Sequence, residues 1–332
     1  MTALRATINQ QVQIGLEATP GTAVATNKLI EAFEWTLGVK PETKQFRATG
    51  RRHNAASEEL TEMSQGKVKG IACYNSTAYI LAALYGMPTI AAHGASAIAY
   101  DAVWTPLIQG AQTPKTLTIG QGDANYAEQY PFGVVTGFGY EVSRKAEVPL
   151  TADLIMGLEA DVALTAAPTP IPVVPMVGKH FNLYLDATSA GIGTTQLLNP
   201  VKFGPSYSGY YGPFWPVNRA NPSYANLVDT APKCEFKLLM EADTQGKSLK
   251  SYLQNGTRCY VRVGAVGPVL DGPNSINYGL IHDFCFFVTA VADFSDSDGV
   301  YAIEWTLELA EDTAWGTGEA QKITLTNSLS AL

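Results

Sequence analysis

The chain is short of charge: 16% of its 332 residues are Asp, Glu, Lys or Arg, where about a quarter is usual. It therefore has less surface to solvate than a typical monomer of its size, which points to extensive burial, in its own core or against other copies. Basic residues are the scarcer sign, 22 against 30 acidic for a net charge of −8. Phosphate binding needs neutralising cations, so the composition argues against a grip on nucleic acid. Cysteine is sparse as well: Cys73, Cys234, Cys259 and Cys285 stand singly, with no C-x-x-C pair. That pattern predicts buried thiols in a reducing compartment and no disulfide scaffold. No apolar run approaches the ~20 residues that span a bilayer. The opening MTALRATINQQVQ lacks the apolar stretch of a secretory signal. No membrane partner is expected.

Catalytic and metal signatures are missing too. His53, His93, His180 and His282 are isolated, without H-x-x-x-H or H-E-x-x-H spacing. His282–Asp283 could orient an imidazole, but no G-x-S-x-G elbow supplies a nucleophile. The pairs Gly120/Gly122, Gly137/Gly139 and Gly191/Gly193 do not lead into a phosphate-binding loop, and they suit turns, bulges or close backbone approach. Asp293, Asp296 and Asp298 resemble the start of a calcium loop, but the spacing departs from D-x-D-x-D-G and no glutamate stands at the twelfth position. A hairpin turn is the simpler reading. The expectation is a protein that is not an enzyme, with no cofactor and no metal.

What the chain does have is a repeat. Residues 131–161 and 283–312 align without gaps at a separation of 152, placing Phe132 on Phe284, Ser143 on Ser295 and Val148 on Val300. Each is an apolar run, a short polar turn and a second apolar run, which is the pattern of a β-hairpin. Upstream, 67–86 and 233–253 each read as a strand running into a short helix, at a separation of 166. Asn75 or Ser76 would cap the first helix and Thr244 the second. Four prolines in 166–175 form an extended connector. The implied organisation is an N-terminal arm (1–13), a first unit (14–165), a linker (166–177), a second unit (178–316) and a C-terminal arm (317–332). The fold class is mainly β with short helices: two tandem β-sandwich or half-barrel units, each with a packed helix.

Two segments look like contact surfaces. Arg47, Arg51, Arg52 and His53 form the one dense basic cluster, on the polar stretch Thr43–Met63 that reads as a loop. Residues 203–224 gather Tyr207, Tyr210, Tyr211, Phe214, Trp215 and Tyr224, with Arg219, among glycines and prolines. Rigid aromatics at that density suit a protein interface or, as the alternative, a glycan-stacking surface in a tandem β-sandwich binding module.

The segment 14–37, IGLEATPGTAVATNKLIEAFEWTL, resembles the opening of tailed-bacteriophage major tail tube proteins, through Gly15, Glu17, Thr19, Pro20, Gly21, Thr22 and Ala23. The resemblance extends in outline over residues 14–315. It implies tail-tube-type β domains closing side by side into a ring, and stacked rings forming a hollow channel for phage DNA. Its partners would be other copies of itself, the tail terminator, tape measure and baseplate or tip proteins, and DNA that passes without specific binding. The protein would then reside in the virion tail after assembly in the host cytoplasm. With two such units per chain, three chains would supply six positions in a pseudo-hexameric ring. Asp153, Glu304 and Glu308 would face the lumen. Thr43–Met63 and Phe203–Tyr224 would touch the next ring, and the C-terminal arm would add to a neighbouring subunit.

Overall fold

Period-two alternation in many segments yields strands that bury one face, as in Pro149–Met156 and Lys233–Glu241. The structure, a computed structural model, describes residues 7–217, 223–316 and 318–332. It is mainly β, with two α-helices among the described residues. The first half contributes β1 (Gln11–Leu16), β2 (Phe33–Phe46), β3 (Ala56–Ile71), α1 (Thr77–Tyr85), β4 (Leu117–Gly122), β5 (Ala127–Tyr140) and β6 (Pro149–Met156). The second contributes β7 (Phe181–Asp186), β8 (Pro200–Ser208), β9 (Lys233–Glu241), α2 (Thr244–Asn255), β10 (Arg258–Asp271), β11 (Ile276–Val291) and β12 (Val300–Leu309). A last strand, β13 (Gln321–Asn327), follows.

In the first half the sheet order is β2-β3-β6-β5, antiparallel throughout. In the second it is β8-β9-β12-β11, again antiparallel. Element for element, the two halves follow one order. They also share a defect. Thr136 bulges out of β5 and donates from Oγ1 to the Asp153 carbonyl at 3.3 Å. Thr289 bulges out of β11 and donates to the Thr306 carbonyl at 3.2 Å. Matched bulges fix the true separation of the hairpins at 153, not 152. One residue matters, because a slip of one exchanges the two faces of a strand. At 152 the exposed Asp153 would stand on the buried Trp305; at 153 it stands on Thr306, and buried Ala152 stands on Trp305.

The halves fuse edge to edge. Phe138 and Gly139 of β5 pair with Tyr207 and Ser206 of β8, and Val142 and Ser143 pair with Phe203 and Lys202. One large sheet results, and residues of both halves share a single apolar core. Helix α1 is buried on every side, which explains its uniformly apolar sequence. Helix α2 is amphipathic and buries Gly246 and Leu249.

Several local expectations need correction. Asn75 and Ser76 make no capping bond to α1: Asn75 instead donates to the Pro172 carbonyl at 2.8 Å and accepts from Ser328. Asp243, one residue before Thr244, caps α2 through the Gly246 amide. Thr43–Met63 is not a loop but the outer part of the β2–β3 hairpin, whose ladder runs to Phe46↔Ala56. It is solvated on both faces, so no alternation marks it as strand. Residues 11–13 belong to β1 rather than to an arm. The C-terminal segment does not reach another subunit through residues 321–327: β13 lies between β11 and Tyr100–Trp104 of its own chain, with Ile323 and Leu325 buried. The proline-rich segment is extended but laid against the first half, through Ile171 N to Leu29 O (3.0 Å), Tyr74 N to Val174 O (3.0 Å) and Met176 N to Ala72 O (2.7 Å).

Candidate functional site: a seam and two free edges

The residues of the N-terminal motif form a structural node. Glu17 is buried at the end of β1, and its carboxylate accepts from the Gly21 amide (2.8 Å), Thr118 Oγ1 (2.9 Å) and the Phe132 amide (2.7 Å). Phe132 has φ +59° where β5 leaves its pairing with β4 and joins β6, so Glu17 holds that kink. Gly21, at φ +77°, lies against the Phe132 ring, and a Cβ on Gly15 would come within 2.5 Å of the Ala25 carbonyl oxygen. Pro20 and Thr22 lie in the turn closed by Thr22 N to Thr19 O at 3.0 Å. The second half has a counterpart that the hairpin alignment did not find. Leu185-Asp186-Ala187-Thr188 follows Leu16-Glu17-Ala18-Thr19 by 169 residues, and a tetrapeptide search would have found it. Asp186 likewise holds the next turn, accepting from Gly193 N (2.8 Å), Thr195 N (3.0 Å) and Thr194 Oγ1 (2.8 Å). Burial pushes its pKa up, but these bonds outweigh burial and hold it below the usual carboxylate value.

The aromatic cluster sits at the seam. Tyr207, Tyr210, Tyr211 and Tyr224 are buried, so they do not form a surface for another protein or a glycan. Phe214 is exposed, Trp215 half-buried, and Arg219 lies outside the described residues. A directed hydrogen-bond relay crosses the seam. Tyr207 donates to Gln321 Oε1 at 2.6 Å, so it accepts from His282 Nε2 at 3.0 Å; Nδ1 then accepts from Tyr140 at 3.1 Å. Gln321 passes the sequence on to the Tyr85 hydroxyl at 3.2 Å. Every polar group in this relay is satisfied with a neutral imidazole. Burial pushes His282 down to about 3, against a smaller opposing effect of Gln321. Burial likewise raises the Tyr207 and Tyr85 phenols well above their ordinary value.

In the two four-stranded sheets, the outer edge of β2 and the side of β11 past Phe287, where the pairing with β10 stops, carry no partner strand among the described residues. They are the counterparts of the two strands that meet in the seam. The solvent face of the large sheet runs between them. Asp153, Glu304 and Glu308 all lie on this face, since Thr151, Gly139, Ser206, Glu235 and Glu308 stand opposite one another in succession. Lysines from β3, β8 and β9 answer the carboxylates: Lys67–Asp153 at 3.6 Å, Lys202–Glu141 at 2.7 Å, and Lys233 with Glu235 and Glu308 at 2.6 and 3.9 Å. Arg47, Arg51, Arg52 and His53 crown the exposed tip of the β2–β3 hairpin, where Arg47 Nε donates to the Arg51 carbonyl at 2.7 Å.

All four cysteines are buried and unpaired with one another. Among the described residues, no group of three or more His, Cys, Asp or Glu is placed to hold a metal ion, and no helix is long and apolar enough to cross a membrane. Neither a scan against protein-family models nor a search of curated proteins returns a match for this chain.

Proposed function

We propose that the chain is a structural virion protein, a major tail tube subunit that closes into rings by edge-to-edge β pairing and stacks into a channel for phage DNA. The observation that carries this reading is the seam. Two four-stranded sheets of identical order and matching bulge join through β5 and β8, and the same two kinds of edge remain open at β11 and β2. Each chain thus holds two tandem tail-tube-type units joined as neighbours in a ring would be. Open edges of this kind invite further pairing, and a closed ring removes them. The contact is heterologous, and in this reading its rotation closes, with three chains supplying six units.

In this ring the shared face of the large sheet lines the lumen. Its carboxylates are matched by lysines, which leaves no cationic surplus to retain DNA phosphates. The basic tip of the β2–β3 hairpin, exposed and free of the core, serves the contact with the next ring. Tail terminator, tape measure and tip proteins would meet the ends of the stack. The glycan-binding alternative loses most of its platform, because four of the six rings that suggested it, Tyr207, Tyr210, Tyr211 and Tyr224, are buried. Negative-stain imaging of the purified protein tests the proposal. Hollow rods or rings are expected, and a protein that stays monomeric at high concentration contradicts it.

A further inference from the structure

The seam inside one chain also predicts which atoms meet between chains. The matched bulges place Phe138 on Val291 and Gly139 on Ala292. Across the sheet, Ala152↔Val68↔Trp35 in the first half corresponds to Trp305↔Leu238↔Phe203 in the second. Tyr207 therefore corresponds to Val39, and Ser206 to Gly38. Since Phe138 pairs with Tyr207 and Gly139 with Ser206, we infer that Val291 and Ala292 of one copy pair antiparallel with Val39 and Gly38 of the next. This rests on the self-assembly proposed above and adds its register.

Three observations point to a second copy of this chain as the occupant. A side chain that the seam buries has an exposed counterpart at the open edge: Phe138, against Tyr207, is 3% exposed and Val291 43%. An apolar edge left this bare suits a covering partner. Charge supplies the second. The turn after β5 carries Arg144 and Lys145, and the matching turn after β11 carries Asp296 and Asp298. Inside the chain these turns already touch, Lys145 Nζ to Asp298 Oδ2 at 3.5 Å. Repeating the seam between copies sets each acidic turn beside the next copy's basic turn, so the signs alternate around the ring. Third, Gly38 has room: a Cβ there meets nothing within 4 Å.

The joint between copies is shorter than the seam. Thr36 stands where Gly204 lets the Tyr140 carbonyl approach to 2.0 Å of an added Cβ. Past it, Glu34 would face Asp296 where the seam has Lys202 and Ser143. Pairing between copies therefore holds at Val291–Ala292, and opens beyond.

The test places Gly38→Cys and Ala292→Cys in one chain, where the buried native thiols do not compete. Rings are verified by imaging, then diamide is added as the two-electron oxidant that turns paired thiols into a disulfide, and products are read on a non-reducing denaturing gel. A ladder ending at the closed oligomer is expected, at least about ten-fold stronger than from Gly38→Cys with Ser295→Cys, because cross-strand linking demands Cβ atoms within a few ångström. Rings in which the first pair fails to link, or links no better than the second, overturn the register and leave the ring standing. Absence of rings for both the variants and the unmodified protein overturns the assembly itself.

Discussion

The β5–β8 seam and the open edges of β2 and β11 are matching joints in different states, one filled within the chain and the other bare. The filled joint is specialised beyond strand pairing. It has a glycine at its closest approach, Gly204, and a buried relay of Tyr140, His282, Tyr207 and Gln321. At the bare joint the counterparts are Thr36, Asp293 and Val39, none of which can reproduce that relay. On the proposed assembly, a repeat within one chain lets the two joints diverge: the one inside the chain is permanently buried, and the other stays bare until a second copy pairs with it.

The sharpest way to break this comparison is a methyl group at each joint. At Gly204 an added Cβ meets the Tyr140 carbonyl oxygen at 2.0 Å and the Glu141 Cα at 3.0 Å, both backbone atoms. Gly204→Ala should cost the monomer about 3 kcal/mol or more, the upper range of overpacking. Gly38→Ala should shift its stability by less than about 0.5 kcal/mol, as expected of an open surface position. Thermal or denaturant unfolding of the two variants measures the contrast; equal losses would mean that the seam is no tighter than the edge.

The relay makes a pH prediction. His282 has its folded pKa depressed from 6.5 to about 3, so between these values the unfolded chain binds a proton that the native chain does not. The neutral-imidazole contribution is therefore full above about pH 6.5 and is lost as pH falls toward 3, at up to about 1.4 kcal/mol per pH unit. Denaturant unfolding of the wild type and His282→Gln across this range should show the wild type steeper. Parallel curves would remove His282 from the account. A smaller effect sharpens the comparison from the other side: Glu34→Lys restores the sign that Lys202 has in the seam. It should favour assembly by about 0.5–1 kcal/mol per joint, measured as a lower concentration for half-assembly by light scattering, whereas an unchanged concentration would place Glu34 away from the contact.

Much of this architecture was legible from alternation. The two hairpins and two helices could be read because half-buried strands carry a period of two, and 166–175 read as extended because prolines refuse a central ladder. The register was not legible, because the identities Phe132/Phe284 and Ser143/Ser295 favour a separation of 152 while the bulges at Thr136 and Thr289 require 153. The outer part of the β2–β3 hairpin, Thr43–Met63, read as a loop because both its faces are solvated. Tyr207 and Tyr210 read as surface because glycine and proline surround them; the partner they contact is the other half of their own chain. Asp153, Glu304 and Glu308 were assigned a common role from the resemblance, and the sheet brings them to one face. Their lysine partners come from β3, β8 and β9, which no local pattern connects to the hairpins.

The central claim is that one chain supplies two neighbouring positions of a ring. The most direct measurement is the rotational symmetry of a single ring, from averaged end-on views or from the mass of an isolated ring. Three chains per ring, with six similar lobes around the lumen, is the expected result. Six chains per ring would make the second half a peripheral addition and contradict the account.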